Sequence, residues 1–244
     1  MESFDPATYG DRIADVYDSW HVERLPADDT VALLAALAGQ GPALELGIGT
    51  GRIALPLAAR GIAVHGIDAS GKMVARLRAK PGGAEMPVVI GDFAEVGVDR
   101  RFALIYVVFN TFFALLTQDD QVRCFRSVAD HLTEDGVFVI EAFVPNPTRY
   151  SRGKQVDVAR IDVDQVVLMV AQHDPVAQRI TSANVLLAEG GVRLFPVELR
   201  YAWPTELDLM ARLAGLHLRD RWGGWQRDPF TATSTQHVSV YART

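Results

Sequence analysis

The sequence has one cysteine and no long hydrophobic run. Cys124 has no second thiol in the chain, which excludes an intramolecular disulfide and makes a reducing cytoplasm the expected location. The longest apolar runs, 102–109 and 137–143, are too short to cross a bilayer. The first twenty residues carry acidic side chains and no long apolar segment, so we expect no signal peptide. The sequence therefore predicts a cytoplasmic protein without a membrane partner.

Positive charge is also scarce. The 24 Lys and Arg residues are outnumbered by 30 Asp and Glu residues, giving a net charge of −6. This balance argues against a phosphate-binding surface across the whole protein, so nucleic acid is not an expected partner. The six histidines include no pair at the spacing of metal ligands, so we expect no metal site. The Gly-x-Ser-x-Gly motif of serine hydrolases is missing too.

The hydrophobic pattern indicates a parallel sheet. With 244 residues, of which 49% are hydrophobic, the chain can bury a full core without disulfides. Apolar strand-like runs alternate with helical patterns from residue 43 to residue 143, which is typical of a sheet with helices on both faces. The predicted strands are 43–47, 62–68, 88–90, 103–109 and 137–143. Three helices are predicted between these strands. The first ends near residue 60, and the other two span 70–80 and 119–132.

The regions that flank this core have other patterns. Residues 5–20 and 26–37 are predicted to form two helices that cap the edge of the sheet. After residue 150 the pattern favours an antiparallel meander, because β-branched runs are separated by turn signals. The runs lie at 166–170, 180–187 and 192–199. A capped helix over 205–215 and a closing strand over 237–243 complete the predicted elements.

A glycine-rich loop follows the first predicted strand. Gly47, Gly49 and Gly51 stand where a ligand can approach backbone N–H groups without a Cβ in the way. Asp68 ends the next strand, near the ~20-residue offset at which an acid meets a ribose hydroxyl. The G-x-G-x-G spacing departs from the dinucleotide fingerprint, and Glu45 places a carboxylate where it would repel a pyrophosphate. A ligand without phosphates fits this loop better.

An acid followed by G-x-G-x-G resembles the first motif of the class I S-adenosylmethionine-dependent methyltransferases. Residues 91–93 (Gly-Asp-Phe) are similar to the motif with which that family holds adenine, and residues 109–110 match its strand end between cofactor and substrate. Tyr9 and Tyr17 resemble the tyrosine-bearing N-terminal lid of small-molecule methyltransferases. The resemblance implies that the loop approaches the methionine part of S-adenosylmethionine and that Asp68 binds its ribose hydroxyls.

The resemblance and the pattern together give two sets of candidate site residues. The expected cofactor contacts are Tyr17, Glu45, Gly47, Gly49, Gly51, Asp68, Met73, Asp92, Phe93 and Phe109. The expected acceptor contacts are Tyr9, Asn110, Phe113, Phe143, Tyr201, Trp203 and Trp225. Methyl transfer from a sulfonium needs orientation more than acid or base catalysis, since aligned reactants reach effective molarities of ~10⁵ M. His237 is the candidate base if the acceptor must lose a proton.

We therefore predict an α/β fold with a Rossmann-like core. The expected segments are a helical cap (1–40), the S-adenosylmethionine-binding core (41–150), an antiparallel β insertion over the active site (151–204) and a C-terminal helix with closing strands (205–244). The expected reaction methylates N or O of a small molecule, yielding S-adenosylhomocysteine, and a homodimer is expected to cover the open edges of the meander. Two alternatives stay open: an NAD(P)-dependent oxidoreductase on a related fold, and a non-catalytic nucleoside-binding module.

Overall fold

The computed structural model describes residues 5–22 and 27–243, which form two β-sheets and their covering helices. The strands are β1 (Ala43–Leu46), β2 (Val64–Asp68), β3 (Val88–Ile90), β4 (Phe102–Val107), β5 (Leu132–Phe143), β6 (Lys154–Ile161), β7 (Gln165–Asp174), β8 (Arg179–Ala188), β9 (Gly191–Arg200), β10 (Leu216–Trp222) and β11 (Gln236–Arg243). The α-helices are α1 (Thr8–Ile13), α2 (Asp28–Ala38), α3 (Ala54–Ala59), α4 (Gly71–Arg78), α5 (Gln118–His131) and α6 (Pro204–Leu213). A π-helix (Asp18–Val22) and two 3₁₀ helices (Thr111–Ala114 and Pro147–Arg149) complete the set.

The larger sheet has seven strands in the order β3-β2-β1-β4-β5-β11-β10. The strands from β3 to β5 pair in parallel, and β11 is antiparallel to both of its neighbours. The strand order switches direction between β1 and β4, and open α/β sheets bind ligands outside the carboxyl ends of the strands at such a point. The predicted Rossmann-like α/β fold is confirmed.

Helices cover both faces of this sheet. Side chains of α2 and α3, with Leu77 of α4, pack on one face, whereas α5 and α6 pack on the other. The central strand β4 contributes side chains to the hydrophobic core on both faces of the sheet. Leu104 and Tyr106 point to the first face, and Ile105 and Val107 point to the second. Cys124 lies fully buried within α5. In the described part of the chain, no helix has the length and hydrophobicity needed to cross a membrane.

The smaller sheet is the predicted antiparallel meander, with its strands in the order β6-β7-β8-β9. One face of this sheet packs toward the core: Phe195 is buried against Ile13 and Met73, and Ile180 joins the cluster under α5 and α6. Arg193 also pairs with Asp15. The meander thus contacts both the N-terminal segment and the core, and its position shapes the space between them.

The single helix predicted over 5–20 is wrong, because α1 ends at Ile13 and the π-helix begins at Asp18. The side chains of Asp11 and Asp18 account for the break. The Asp11 carboxylate accepts a hydrogen bond from the hydroxyl of Ser70, the residue that caps α4. The Asp18 carboxylate accepts one from the hydroxyl of Thr50 in the glycine-rich loop. These two attachment points lie on different core segments, so the chain turns between them. The second cap helix matches α2, although residue 26 falls outside the described residues.

Other differences concern strand ends and two strands that the pattern did not indicate. β6 and β10 interrupt their apolar residues with charged ones, so neither contains an apolar run. β5 begins at Leu132, directly after α5, rather than near 137. β4 ends at Val107, before the predicted residue 109, because Phe109 and Asn110 have left-handed backbone angles (φ of 59° and 64°). A left-handed residue cannot continue a strand.

Candidate active site

The glycine-rich loop turns tightly at the carboxyl end of β1. Gly47, Gly49 and Gly51 all have positive φ (74°, 55° and 79°), a conformation that only glycine adopts without strain. The amides of Gly47 and Ile48 both donate to the carbonyl of Ile67 on β2 (2.8 and 3.0 Å). A Cβ on Gly47 would stand 2.5 Å from the Cγ2 atom of Thr111. The loop therefore leaves no room for a side chain at this position.

Asp68, the last residue of β2, connects the loop to α4. Its Oδ2 atom accepts a hydrogen bond from the Gly49 amide (2.7 Å), and its Oδ1 atom accepts one from the Ser70 amide (2.8 Å). Burial raises the pKa of Asp68, and the two amide donors act against that rise. Each carboxylate oxygen can accept more than one hydrogen bond. Asp68 therefore orders the loop and still has lone pairs for a ligand hydroxyl.

Glu45 lies beneath the loop rather than beside it. Its side chain is buried, and the Tyr106 hydroxyl donates a hydrogen bond to its Oε2 atom (2.9 Å). Burial raises the pKa of Glu45 to about 8, despite the opposing effects of Tyr106 and Arg52. Burial therefore favours the protonated carboxyl and weakens the repulsion of a pyrophosphate that the sequence suggested. The choice of ligand must rest on other features.

The N-terminal segment is attached directly to the loop. The Thr50 hydroxyl donates to Oδ1 of Asp18 (2.6 Å), and Lys80 pairs with Oδ2 of the same side chain (2.8 Å). Lys80 also donates to the Thr50 carbonyl (2.8 Å). Burial is the main reason that the pKa of Tyr17 rises to about 12. The nearby charge of Arg52 opposes this rise, and the acids in and around the loop add to it. The N-terminal segment therefore lies against the loop, where the resemblance predicts the lid.

Tyr9 and Met73 pack in one hydrophobic cluster between the N-terminal segment and the core. Burial raises the pKa of Tyr9, and Tyr17 adds to the rise. Met73 is buried among Ile13 and Phe195, and its Cε atom is 3.5 Å from the position of a Cβ on Gly49. Met73 therefore packs in the core and also lies beside the loop, where a cofactor contact is expected.

The carboxyl ends of β4 and β5 are joined by side chains. The Phe109 amide donates to Oε2 of Glu141 (2.7 Å), and Oδ1 of Asn110 accepts from the Phe143 amide (2.7 Å). Burial raises the pKa of Glu141, whose carboxyl also accepts a hydrogen bond from the Trp225 side chain. These contacts explain the left-handed turn at 109–110, and they place Trp225 beside the site.

Two residues in this region belong to neither predicted set. Arg52 lies with its guanidinium 4.9 Å above the Phe109 ring and makes no hydrogen bond or ion pair with any described residue. The ring of His21 lies between Tyr17 (4.8 Å) and Phe109 (5.3 Å). Its Nε2 atom is buried and has no hydrogen-bond partner among the described residues, and burial followed by Arg52 lowers its pKa. The signals in the sequence that could have indicated these two residues are their positions: Arg52 directly follows the glycine-rich loop, and His21 follows the two tyrosines of the predicted lid.

A cavity of about 470 Å³ opens next to Phe143, at the carboxyl end of β5. The core-facing side of β7, β8 and β9 forms one wall, and loops 144–150 and 232–235 form the other. Tyr201 and His173 are joined across it by a hydrogen bond (Oη to Nε2, 2.9 Å), and Tyr150 stacks on the His173 ring (4.5 Å between centroids). Its volume is that of a site for a small organic molecule.

The other predicted contacts lie at different distances from the loop. Phe93 is buried with its Cε1 atom 3.9 Å from the position of a Cβ on Gly47. Asp92 is exposed and accepts a hydrogen bond from the Ala94 amide (2.9 Å), so its structural role is that of a loop cap. Phe113 is fully buried against Phe143 and has no surface for a ligand in this conformation. Trp203 is 41% exposed at the start of α6.

His237 occupies an unexpected place. The sequence suggested a residue that faces the substrate, but its side chain is fully buried and bonds to the Ser239 hydroxyl (2.8 Å). Burial, followed by the nearby charge of Arg221, lowers its pKa to about 3. The alternation of β11 turns this ring toward α6, where Asp208 pairs with Arg221. The ring is enclosed in this structure, which argues against the predicted role of His237 as the base.

Comparison with known proteins identifies the family. The family described as "Methyltransferase domain" matches residues 43–136. The structure of the CcbJ methyltransferase from Streptomyces caelestis is 42% identical, covers 99% of this chain and 100% of its own, and superimposes with a TM-score of 0.93. The chain belongs to the class I S-adenosylmethionine-dependent methyltransferases.

A more distant relative agrees with this assignment, and a distant structure shares the fold. The cypemycin N-terminal methyltransferase of Streptomyces sp is 29% identical to this methyltransferase over 98% of the chain and 99% of its own length. The structure of S-adenosylmethionine-bound CalS10, an amino pentose methyltransferase from Micromonospora echinaspora, is 22% identical, covers 100% of both chains and has a TM-score of 0.68. S-adenosylmethionine is the cofactor, and the oxidoreductase alternative receives no support.

The residues of the methyltransferase loop fit this cofactor. The backbone at Gly49 carries no Cβ in the way of a ligand, and Asp68 has lone pairs for hydroxyl groups. Arg52 offers an unpaired cation for a carboxylate. S-adenosylmethionine carries a ribose and an amino-acid carboxylate, and it has no phosphates. The donors and acceptors around the loop therefore match its functional groups.

Proposed function

We propose that this methyltransferase methylates an amine nitrogen of a small, hydroxyl-bearing acceptor. The observation that carries the choice of nitrogen is His21, a neutral imidazole whose Nε2 atom is buried beside Phe109 without a partner among the described residues. An amine is protonated at neutral pH and must lose that proton before it can attack. The relative whose name specifies N-terminal methylation supports the same chemistry.

In this proposal the cofactor lies across the carboxyl ends of β1, β2 and β4. When bound, S-adenosylmethionine supplies an electrophilic methyl group on a sulfonium. The glycine-rich loop lies along the methionine part, Arg52 pairs with its carboxylate, and Asp68 accepts from the ribose hydroxyls. Phe93 and Asp92 hold the adenine, and Tyr17 covers the site from the lid. The remaining contacts of the set are Glu45, Gly47, Gly49, Gly51, Met73 and Phe109.

The acceptor occupies the cavity beside Phe143. Its walls combine aromatic rings, such as Tyr150 and Tyr201, with hydroxyl and amide groups, and this mixture suits a molecule with several hydroxyls. We assign the meander (151–204) the role of shaping this pocket over the core. Tyr9, Asn110 and Trp225 border the path between the pocket and the loop.

His21 supplies the base of the proposed reaction. Its lowered pKa keeps the imidazole neutral at physiological pH, so Nε2 can accept the ammonium proton. Phe109 and Tyr17 hold the ring in place from both sides. Burial of the attacking nitrogen among these rings excludes water, which favours the uncharged amine.

The proposal also covers partners and location. The acceptor is a small molecule, nucleic acid is not a partner, and the protein acts in the cytoplasm as a homodimer. The acidic net charge supports the exclusion of nucleic acid as a partner, and the single buried thiol supports a location in the cytoplasm. The exposed apolar face of the β6–β9 sheet supports the dimer.

A matched pair of acceptors tests the choice of nitrogen. The purified protein is incubated with S-adenosylmethionine and either an aminoglycoside with one free amine or the same sugar with a hydroxyl in place of the amine, and methyl addition is followed by mass spectrometry. A dipeptide with a free α-amine forms a second probe. We expect methylation of an amine and none of the hydroxyl analogue. Methylation of the hydroxyl analogue alone would contradict the proposal.

Two variants make this result specific. Gly47→Ala forces a Cβ against Thr111 at a positive φ, so we expect loss of cofactor binding by isothermal titration, whereas Gly97→Ala has open space around it and serves as the control.

His21→Gln keeps the size and polarity of the side chain but removes the base. We expect cofactor binding to persist in His21→Gln, with a roughly 100-fold lower kcat that recovers as pH rises toward the pKa of the free amine.

A further inference from the structure

One cationic side chain lines the cavity beside Phe143. Arg149, at the end of the second 3₁₀ helix, belongs to the wall that loop 144–150 forms. The other polar groups of the described lining are hydroxyls, amides and the His173 ring, and no Asp, Glu or Lys is among them. The whole chain has a net charge of −6, so the cavity differs in sign from the rest of the protein. A cleft lined by charge of one sign attracts a ligand of the opposite sign.

The Arg149 guanidinium has unused hydrogen-bonding capacity. Its Nη2 atom makes one long contact, 3.7 Å from Oδ2 of Asp157, and it donates no hydrogen bond to any described residue. The two side chains are about half exposed (51% and 48%), and ion pairs of this kind contribute little to stability. Asp157 also accepts from the Gln155 amide. A guanidinium has five N–H donors in a planar fork that matches a carboxylate or a phosphate, so Arg149 can hold such a group.

The acids closest to the cavity do not offset this charge. Burial raises the pKa of Tyr201, and Asp174 and Glu206 add to the rise, so both acids lie near the cavity wall. Glu206 pairs with Arg200 (2.8 Å). Asp174 is exposed and accepts hydrogen bonds from two backbone amides of its own turn. Neither acid lines the cavity, so Arg149 sets the sign of the charge on its side of the cavity.

Arg149 and the N-terminal segment lie at opposite edges of the meander. Asp157, the neighbour of Arg149, belongs to the edge strand β6, whereas Phe195, which packs against Ile13, belongs to the other edge strand β9. Three spacings of ~4.8 Å separate these strands, so the two edges are about 14 Å apart. An acceptor whose amine lies near His21 of the N-terminal segment therefore directs its opposite end toward Arg149.

We propose that the acceptor carries an anionic oxygen group, a carboxylate or a phosphate, on the side opposite its amine, and that Arg149 binds this group. The inference rests on the proposed function, because it takes this cavity as the acceptor site. The hydroxyls of Tyr201 and Thr233 are available to the uncharged part of the molecule. The class of acceptor is therefore a hydroxyl-bearing amine with an anionic end, of which an amino sugar acid is a simple example.

Three probes that differ in one substituent test the proposal: glucosamine, glucosaminuronic acid and glucosamine 6-phosphate. Isothermal titration measures the binding of each probe to the protein saturated with S-adenosylhomocysteine, and mass spectrometry follows its methylation by S-adenosylmethionine. We expect the uronic acid or the phosphate to bind about tenfold more tightly than glucosamine, because the anion gains charge-assisted hydrogen bonds to a half-exposed guanidinium. The anionic probe that binds more tightly identifies the group as a carboxylate or a phosphate.

Variants of Arg149 show whether this residue is the source of the preference. Arg149→Gln should bind all three probes equally, whereas Arg149→Lys should keep part of the preference, because it retains the charge without the planar fork. Arg152→Gln is the matched control, since it removes the same charge from an exposed residue outside the described cavity lining. Unchanged affinity for S-adenosylhomocysteine verifies that each variant is folded.

The possible results separate this inference from the proposed function. Equal binding of the three probes by the wild type, failure of all three to bind, or an anionic preference that persists in Arg149→Gln would overturn the role of Arg149. Binding of an anionic probe that depends on Arg149, without methylation of its amine, would contradict the proposed N-methylation and leave the role of Arg149 intact. Methylation of glucosamine as fast as that of both anionic probes would do the reverse.

Discussion

At the scale of single residues, the buried carboxyl of Glu45 makes stability depend on pH. Burial under the loop raises its pKa to about 8, whereas the same carboxyl has an ordinary pKa in the unfolded chain. Between those two values the folded protein holds a proton that the unfolded chain has released. Stability therefore falls as pH rises through this window and is greatest at its acidic end.

Glu45→Gln removes this dependence. The amide oxygen can still accept the hydrogen bond from Tyr106, and it has no proton to lose. We expect the wild type to lose on the order of 2–4 kcal/mol of unfolding free energy relative to the variant between pH 5 and pH 8. Urea denaturation at several pH values measures the difference. Parallel pH profiles for the two proteins would show that Glu45 is already ionised.

At the scale of elements, the N-terminal segment is joined to the core by few but well-placed contacts. Asp18 links the π-helix to the glycine-rich loop through Thr50 and to the end of α4 through Lys80. π-helical turns are rare, and they occur frequently at functional sites. Here the π-helix carries His21 over Phe109. A change at Asp18 should therefore reach the cofactor site, although Asp18 is not itself one of the proposed cofactor contacts.

Asp18→Asn tests this link. The variant loses the charge that pairs with Lys80, a partly exposed ion pair, so we expect about fivefold weaker binding of S-adenosylmethionine by isothermal titration. Asp15→Asn is the matched control, since Asp15 pairs with Arg193 at the outer surface. Equal affinities for the two variants would mean that the lid closes without the Asp18 contacts.

At the scale of the whole molecule, the cofactor site draws on segments far apart in sequence. The lid, the loop and the ends of β2 and β4 all contribute to it. A ligand that bridges these segments stabilises the entire fold, because it binds only when they are assembled. The unfolded chain has no comparable site.

Thermal unfolding measures this coupling. At a concentration of S-adenosylmethionine 100 times its Kd, the native state gains about 2.7 kcal/mol, which corresponds to a rise in Tm of roughly 5–10 °C for a chain of this size. We expect S-adenosylhomocysteine to act similarly and NAD to have no effect at the same concentration. A rise in Tm with NAD but not with S-adenosylmethionine would contradict the cofactor assignment.

The sequence by itself determined the core fold and the cofactor, because both depend on local signals. Positive-φ glycines, the acid that ends β2 and the alternation of strands and helices are each readable within a few neighbouring residues. The same holds for the order of the motifs from Glu45 to Asn110. These local signals place a ligand at the loop, and the resemblance of the motif order to the class I methyltransferases gives the cofactor and the class of enzyme.

Only the tertiary structure decided which polar groups are buried and which apolar groups are exposed. His237 lies in an alternating strand like many surface histidines, and its burial comes from α6 packing over β11. His21 and Arg52 meet at Phe109 because the lid folds back over the loop, a long-range contact that no local pattern encodes. The apolar residues on the outer face of the meander look like ordinary strand sequence until the register aligns them in rows. Burial and register depend on contacts between distant segments, so they follow from the fold rather than from neighbouring residues.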